Sequence, residues 1–165
     1  MKIVAEIGAA HGGSLQQALD TIDAAAESGA DAIKIQTWTP DTMDCGGRIL
    51  DSGPWKGRSL TDLYREAHTP WEWHEPIASK CAELGLEWWS TVFDQQALDF
   101  LESIGCPRYK IASFELVDLL LIEAVAATGK PIILSTGMAS ETEISSAVDA
   151  CGGAGGTILK CVSSY

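Results

Sequence analysis

Residues 108–138, RYKIASFELVDLLLIEAVAATGKPIILSTGM, read as strand, polar loop, helix, strand and polar loop. The first apolar run carries Lys110 and leads into Ser113 and Glu115. The second ends in Ser135, Thr136 and Gly137. A cation, hydroxyls and a carboxylate thus gather where two neighbouring parallel strands finish. That end of an α/β sheet is where ligands bind.

The same unit repeats outward in both directions. Strands are expected at Lys2–Ile7, Asp31–Thr37, Leu86–Thr91, Tyr109–Ser113, Ile132–Ser135 and Thr157–Val162. Between them run apolar stripes at helical spacing. Leu15, Ala18, Leu19, Ile22, Ala25 and Ala26 form the first. Trp73, Ile77, Cys81 and Leu84 form the second, and Ala97, Leu98, Leu101 and Ile104 the third. A helix over Asp118–Thr128 follows, and Ile144, Ala147, Val148 and Cys151 form the last stripe. Ser14 with Gln17, Thr69 with Glu72, and Ser140 with Glu143 have capping-box spacing, and Asp94 is a further cap. Residues 38–68 lack periodicity until LTDLYREA, which suits a short helix. A connection of that length is usually functional or mobile.

Strands alternating with helices imply parallel pairing through right-handed crossovers. Two architectures compete. Length favours a doubly wound sheet, since a complete (β/α)8 barrel takes about 250 residues and this chain has 165. The polar residues favour a barrel. Glu6, Lys34, Thr91, Lys110 with Ser113, Ser135 and Ser163 mark successive strands. A barrel uses every strand end, whereas a doubly wound sheet concentrates its site at one switch point. The expectation is therefore a single partial domain over 1–165, a (β/α)8 barrel stopping at about its sixth strand.

Totals narrow the function. A net charge of −12 disfavours nucleic acid and anionic membranes as partners. No apolar run is long enough to span a bilayer, and Glu6 interrupts the N-terminal one, so a cytoplasmic protein is expected. Five cysteines without CxxC pairs suit neither a disulfide framework nor a zinc site. Cys81, Cys151 and Cys161 read as small buried hydrophobes, and Cys45 as a loop residue. GxGxxG, P-loop and GxSxG patterns are absent.

Lys34 and Lys110 are the sharpest signals. A lysine in an apolar strand needs a counter-charge or a bound anion. One reading pairs Lys34 with Glu6. The other joins both lysines to Thr91, Ser113 and Ser135 in a pocket for phosphate and carboxylate. Glu115 reads either as an exposed loop charge or as a ligand for hydroxyl and amide groups. Glu6 suits a lysine partner or acid–base work. His11 reads as a loop histidine, and His68 and His74 as packing or supporting groups.

AEIGAAHGGS, ADAIKIQTW, EAHTPWEWHEP, STVFD, YKIASFEL, TGKPIILSTGMAS and ILKCVSSY together resemble the sialic acid synthase family. LTDLYREA and EAHTPWEWH resemble its pseudaminic acid synthase branch. The resemblance runs through the chain in order. It implies a (β/α)8 barrel followed by an antifreeze-like domain, in a homodimer. It implies a C–C-forming transferase that condenses phosphoenolpyruvate with an N-acetylated amino sugar aldehyde, giving a nonulosonic acid and phosphate. It assigns Glu6 and Lys110 to catalysis, and Lys34, Thr91, Ser113, Ser135 and Ser163 to phosphoenolpyruvate along with Lys110. Glu115 is assigned to the sugar. It implies a divalent metal, typically manganese, held by two histidines that are not in this chain. The sequence departs from the family pattern at Ala10, where asparagine is usual, and at Val92, where proline is usual. With neither metal histidine present, the 165 residues alone are expected to be inactive. Open barrel edges predict poor solubility for them. Two other readings stand beside this one: an anion-binding short form without catalysis, and a phosphoenolpyruvate aldol synthase for keto-deoxy sugar phosphates.

Overall fold

The computed structural model describes residues 1–43 and 46–162. Cys45 and Ser163 lie outside the described residues. The chain divides into two compact units, Met1–Trp88 and Trp89–Tyr165.

In the first unit, β1 (Val4–Glu6) leads to α1 (Leu15–Glu27), then β2 (Ala32–Thr37). The strands pair in parallel, with Glu6 level with Lys34. Ser14 caps α1 by accepting from the Gln17 N–H. The Gln17 side chain reaches the Ala10 carbonyl at 3.1 Å, so this capping box closes on one side only. Ala18 and Ile22 of α1 are buried, and Ile22 packs in a cluster with Ile7, Ile33, Ile35, Ile77 and Cys81. Burying a side chain such as Ile22 contributes about 1.5–3 kcal/mol.

The long connection after β2 is more regular than its sequence suggests. It holds α2 (Pro40–Met43) and α3 (Leu60–Ala67). Trp71–Trp73 forms a 3-10 turn before α4 (His74–Glu83), and Thr69 makes no side-chain cap. The first turn is 3-10 and is flanked by Pro70, not Thr69, so the expected box does not form. Leu84 also lies at the surface, because α4 ends at Glu83 and Leu84 turns outward. Within this unit Glu87 N donates to the Asp31 carbonyl, so β3 (Glu87–Val92) begins beside β2.

The second unit contains the rest of β3 and α5 (Gln95–Ser103), then β4 (Tyr109–Ile111) and α6 (Leu119–Ala127). It continues with β5 (Ile132–Ser135), α7 (Glu141–Ala150) and β6 (Gly156–Leu159). β3 pairs with β4, β4 with β5, and β5 with β6, all in parallel. Asp94 and Asp118 cap α5 and α6, and the Ser140–Glu143 box at α7 is complete. Val148 is exposed, since the α7 stripe is narrower than its spacing implies. β4 stops at Ile111, leaving Ser113 in the following turn, and all of β6 is exposed.

Neither unit contains a switch point. The β3–β4 pairing is incompatible with a 3-2-1-4-5-6 doubly wound order. The fold class is that of the (β/α)8 barrel, with six of its strands among the described residues. Among those residues no helix is long and apolar enough to cross a membrane.

Candidate functional site

Alternation along β2 places Lys34 and Gln36 on one face, and Trp38 follows in the same sense. Lys34 is 5% exposed and pairs with Glu6, its neighbour in register on β1. Burial pulls the Lys34 pKa below its usual value, and the Glu6 charge and hydrogen bond oppose that pull. Gln36 Nε2 donates to the same Glu6 oxygen at 3.3 Å. Trp38 Nε1 lies 3.4 Å from Gln36 Oε1. The Glu6 side chain itself is 48% exposed, more open than a strand carboxylate flanked by hydrophobes suggests. The result is a continuous polar row, Lys34–Glu6–Gln36–Trp38.

The row is braced from behind. The Thr37 hydroxyl and His74 Nε2 are 2.7 Å apart, and His74 Nδ1 is 3.1 Å from the Trp71 carbonyl. Burial drives His74 down to about 4, so its imidazole is neutral near pH 7 and the Trp71 carbonyl sets its tautomer. His11 is also buried, edge-on to Trp73. Its Nδ1 accepts from Gly13 N at 3.1 Å, which leaves the proton on Nε2. That Nε2 has no hydrogen-bond partner among the described residues. The Ala67 carbonyl acts on the ring without reaching hydrogen-bond geometry, and burial keeps the His11 pKa low.

The second unit gathers the other residues. Thr91 is level with Lys110 across β3 and β4, and Lys110 is level with Ile133 on β5. Thr91 and Ser135 are buried, and Lys110 is half-buried. Gly137 N donates to Ser113 Oγ at 3.1 Å, tying the turn after β4 to the turn after β5. Next to it Met138 holds φ at 66°, the one described non-glycine residue with positive φ. Such strain persists where surrounding contacts over-determine the backbone.

Cys161 completes this cluster and corrects an expectation. It lies past the end of β6, half-exposed, and donates to the Leu159 carbonyl at 3.4 Å. Burial alone would raise its pKa. Hydrogen bonds from Ser135, Thr136 N–H and Ser113, with the Lys110 charge, outweigh that and bring the thiol below its ordinary value. It is therefore a polar member of the site and not a core hydrophobe. Glu115 is half-buried, with Oε2 lacking a partner among the described residues. Burial raises its pKa, and Lys110 only partly counters this.

Within the first unit the structure thus brings together Glu6 and Lys34, and within the second Lys110, Ser113 and Ser135, with Glu115 in electrostatic reach of Lys110. Thr91 stands beside Lys110 in the sheet. Two participants escaped the sequence reading. Gln36 was legible as the residue two beyond Lys34 on the same strand face. Cys161 had no such signal, because β6 ends two residues before it. Among the described residues no group of three or more His, Cys, Asp and Glu side chains can hold a metal ion, so these residues do not by themselves make the implied manganese site.

Comparison with known proteins follows the same line. The chain is 46% identical to the pseudaminic acid synthase of Helicobacter pylori, over 99% of this chain and 50% of that protein. It is 34% identical to the N,N'-diacetyllegionaminic acid synthase of Legionella pneumophila, over 89% of this chain and 42% of that protein. It spans about half the length of the curated relatives it matches. The crystal structure of N-acetylneuraminic acid synthetase from Leptospira borgpetersenii superimposes with a TM-score of 0.87 at 32% identity, covering 99% of this chain and 54% of that one. A Thermotoga maritima phospho-2-dehydro-3-deoxyheptonate aldolase shares the fold, at a TM-score of 0.70 and 11% identity. The NeuB family model matches residues 21–165, and the chain belongs to the NeuB family.

Proposed function

We propose that the protein condenses phosphoenolpyruvate with an open-chain N-acetylated amino sugar aldehyde to form a nonulosonic acid, pseudaminic acid in the first instance. The sugar is then a 6-deoxy-2,4-diacetamido hexose. The enol C3 of phosphoenolpyruvate forms a bond to the aldehyde carbon, whose oxygen becomes a hydroxyl. Water adds at C2, and phosphate leaves with cleavage of its C–O bond. The observation that carries this reading is the Lys110, Ser113 and Ser135 cluster at adjacent strand ends.

Lysine supplies point charge, and hydroxyls donate to oxygens that gain charge as the reaction proceeds. Lys110, Ser113, Ser135 and Thr91 are proposed to hold the phosphate and carboxylate, with Lys34 as a further contact. Glu115, half-buried within electrostatic reach of Lys110, is proposed to bind the sugar's hydroxyl and amide groups. Glu6 is proposed as the acid–base group, positioned by Lys34 and Gln36. A divalent metal, probed first as manganese, is proposed as cofactor, and no step above is assigned to it. A cytoplasmic homodimer is the proposed setting.

The test is phosphate release from phosphoenolpyruvate, the diacetamido sugar and manganese, using the protein in its full reading frame. Release is expected. No release with this or any related amino sugar overturns the reading. Faster turnover of N-acetylmannosamine, or of the legionaminic acid precursor, moves the protein to another branch.

A further inference from the structure

In the second unit one carbonyl collects three donors. The Leu159 carbonyl, on the residue level with Ser135 in the sheet, accepts from Thr136 N at 3.2 Å, from Thr136 Oγ1 at 3.0 Å and from Cys161 Sγ at 3.4 Å. This fixes the thiol. Its S–H is committed to the end of β6, which leaves the sulfur to act as an acceptor. The hydroxyls of Ser135 and Ser113 and the Thr136 N–H hydrogen-bond to that sulfur, and the Lys110 charge acts on it.

The two serines differ from Thr136 in what their hydroxyls can still do. Thr136 gives its hydroxyl proton to the Leu159 carbonyl. Ser113 Oγ accepts from Gly137 N at 3.1 Å, which ties down the oxygen and leaves its own proton to donate. Ser135 is the last residue of β5 and is 4% exposed. A hydroxyl hydrogen turns about its C–O bond unless a partner holds it. Cys161 is the partner that Ser113 and Ser135 share. A neutral thiol is a weak acceptor. Exchanging it for an anionic oxygen, which makes a stronger charge-assisted bond, is therefore favourable.

We propose that Cys161 is a positioning residue of the anion pocket, its sulfur orienting the Ser113 and Ser135 hydroxyls and releasing them to the oxygens of phosphoenolpyruvate. It acts through the two serines and not on the substrate. The inference rests on the reaction proposed above and deepens it, because it gives the pocket a preset orientation of its neutral donors before the anion arrives.

The experiment is a double-mutant cycle in the full-reading-frame protein. Cys161→Ala should lower kcat/KM for phosphoenolpyruvate roughly 5–10-fold, the usual worth of one neutral hydrogen bond. The KM for the amino sugar should move less than about twofold. The conservative Cys161→Ser, which keeps an acceptor, should restore most of the loss. In a Ser113→Ala/Ser135→Ala background, Cys161→Ala should change kcat/KM less than about twofold, since the groups it orients are gone. An equal loss in both backgrounds, or no loss in the first, overturns the proposal. Cys161→Val, close in size and without an acceptor, takes the place of Cys161→Ala if that variant does not fold. If the wild-type protein turns over no amino sugar, the reaction reading fails by itself. Calorimetric titration with phosphoenolpyruvate then judges the thiol. Binding weakened by Cys161→Ala only where both serines are present supports the proposal. Absent binding, binding unaltered by Cys161→Ala, or binding weakened equally without the serines overturns it.

Discussion

Lys34 and Lys110 occupy similar places, each in the middle of an apolar strand, yet their surroundings differ. Lys34 is nearly sealed and held by a carboxylate from the adjacent strand. Lys110 is half-buried among hydroxyls and a thiol on turns. A cation satisfied by a carboxylate is part of the frame. On the proposed function, Lys110 serves an incoming anion and not the frame alone. Changes at the His74 brace should therefore register chiefly in stability and those in the Lys110 cluster chiefly in turnover, with changes at Glu6 and Lys34 registering in both.

The largest expected effect tests the second half of that contrast. Lys110→Ala should reduce kcat/KM for phosphoenolpyruvate on the order of 10²–10³-fold, about 3–4 kcal/mol of transition-state stabilisation. Its melting temperature should stay close to that of the wild type. Steady-state kinetics beside thermal denaturation measures both. A large loss of stability with modest loss of turnover would reverse the two roles.

Next in size is an acid effect from the first unit. His74 is neutral when folded and titrates at about 4, whereas an unfolded imidazole binds its proton near 6.5. The unfolded state thus holds more protons between these values, and stability falls as pH drops through that window, by about 3 kcal/mol at most. Urea unfolding at pH 7 and pH 4 should show the loss, and His74→Gln should flatten the slope.

Glu6→Gln sharpens the comparison further. It leaves Lys34 buried with a neutral partner and should cost about 1–2 kcal/mol, held down by the half-exposed position of Glu6. With the Glu6 charge removed, the folded Lys34 pKa drops further below the unfolded value. The unfolded state then binds more protons on the alkaline side, so the variant should regain stability as pH rises toward the usual lysine range. Thermal melts at pH 7 and pH 9.5 test this. The smallest effect is Ser140→Ala, which opens the α7 capping box and should cost about 1 kcal/mol by denaturant titration, with kinetics unchanged.

Much of this was legible beforehand. Hydrophobic period placed each of the six strands to within a few residues; for β2 to β5 the reason is that a buried parallel strand is largely apolar. β5 matched at both ends, with Ser135 its last residue. Ser140 and Glu143 announced their box because both halves of a capping box lie within four residues. The failed cap at Thr69 shows the limit of such local signals. The chain opens there in a 3-10 turn that starts one residue later than the spacing implies, and spacing alone does not reveal turn geometry.

The sequence by itself determined the strand–helix order, the stripes that form the core, and the appearance of lysines, hydroxyls and carboxylates at strand ends. These follow from period and propensity, which act over a few residues. Only the tertiary structure decided that Lys34 takes Glu6 as its partner, that Gln36 and Trp38 extend that pair into a row, and that Cys161 joins Ser113, Ser135 and Lys110. Each of these depends on strand register or on where a strand stops. Which residue lies level with which is settled by packing between segments distant in sequence, beyond the reach of a few-residue window.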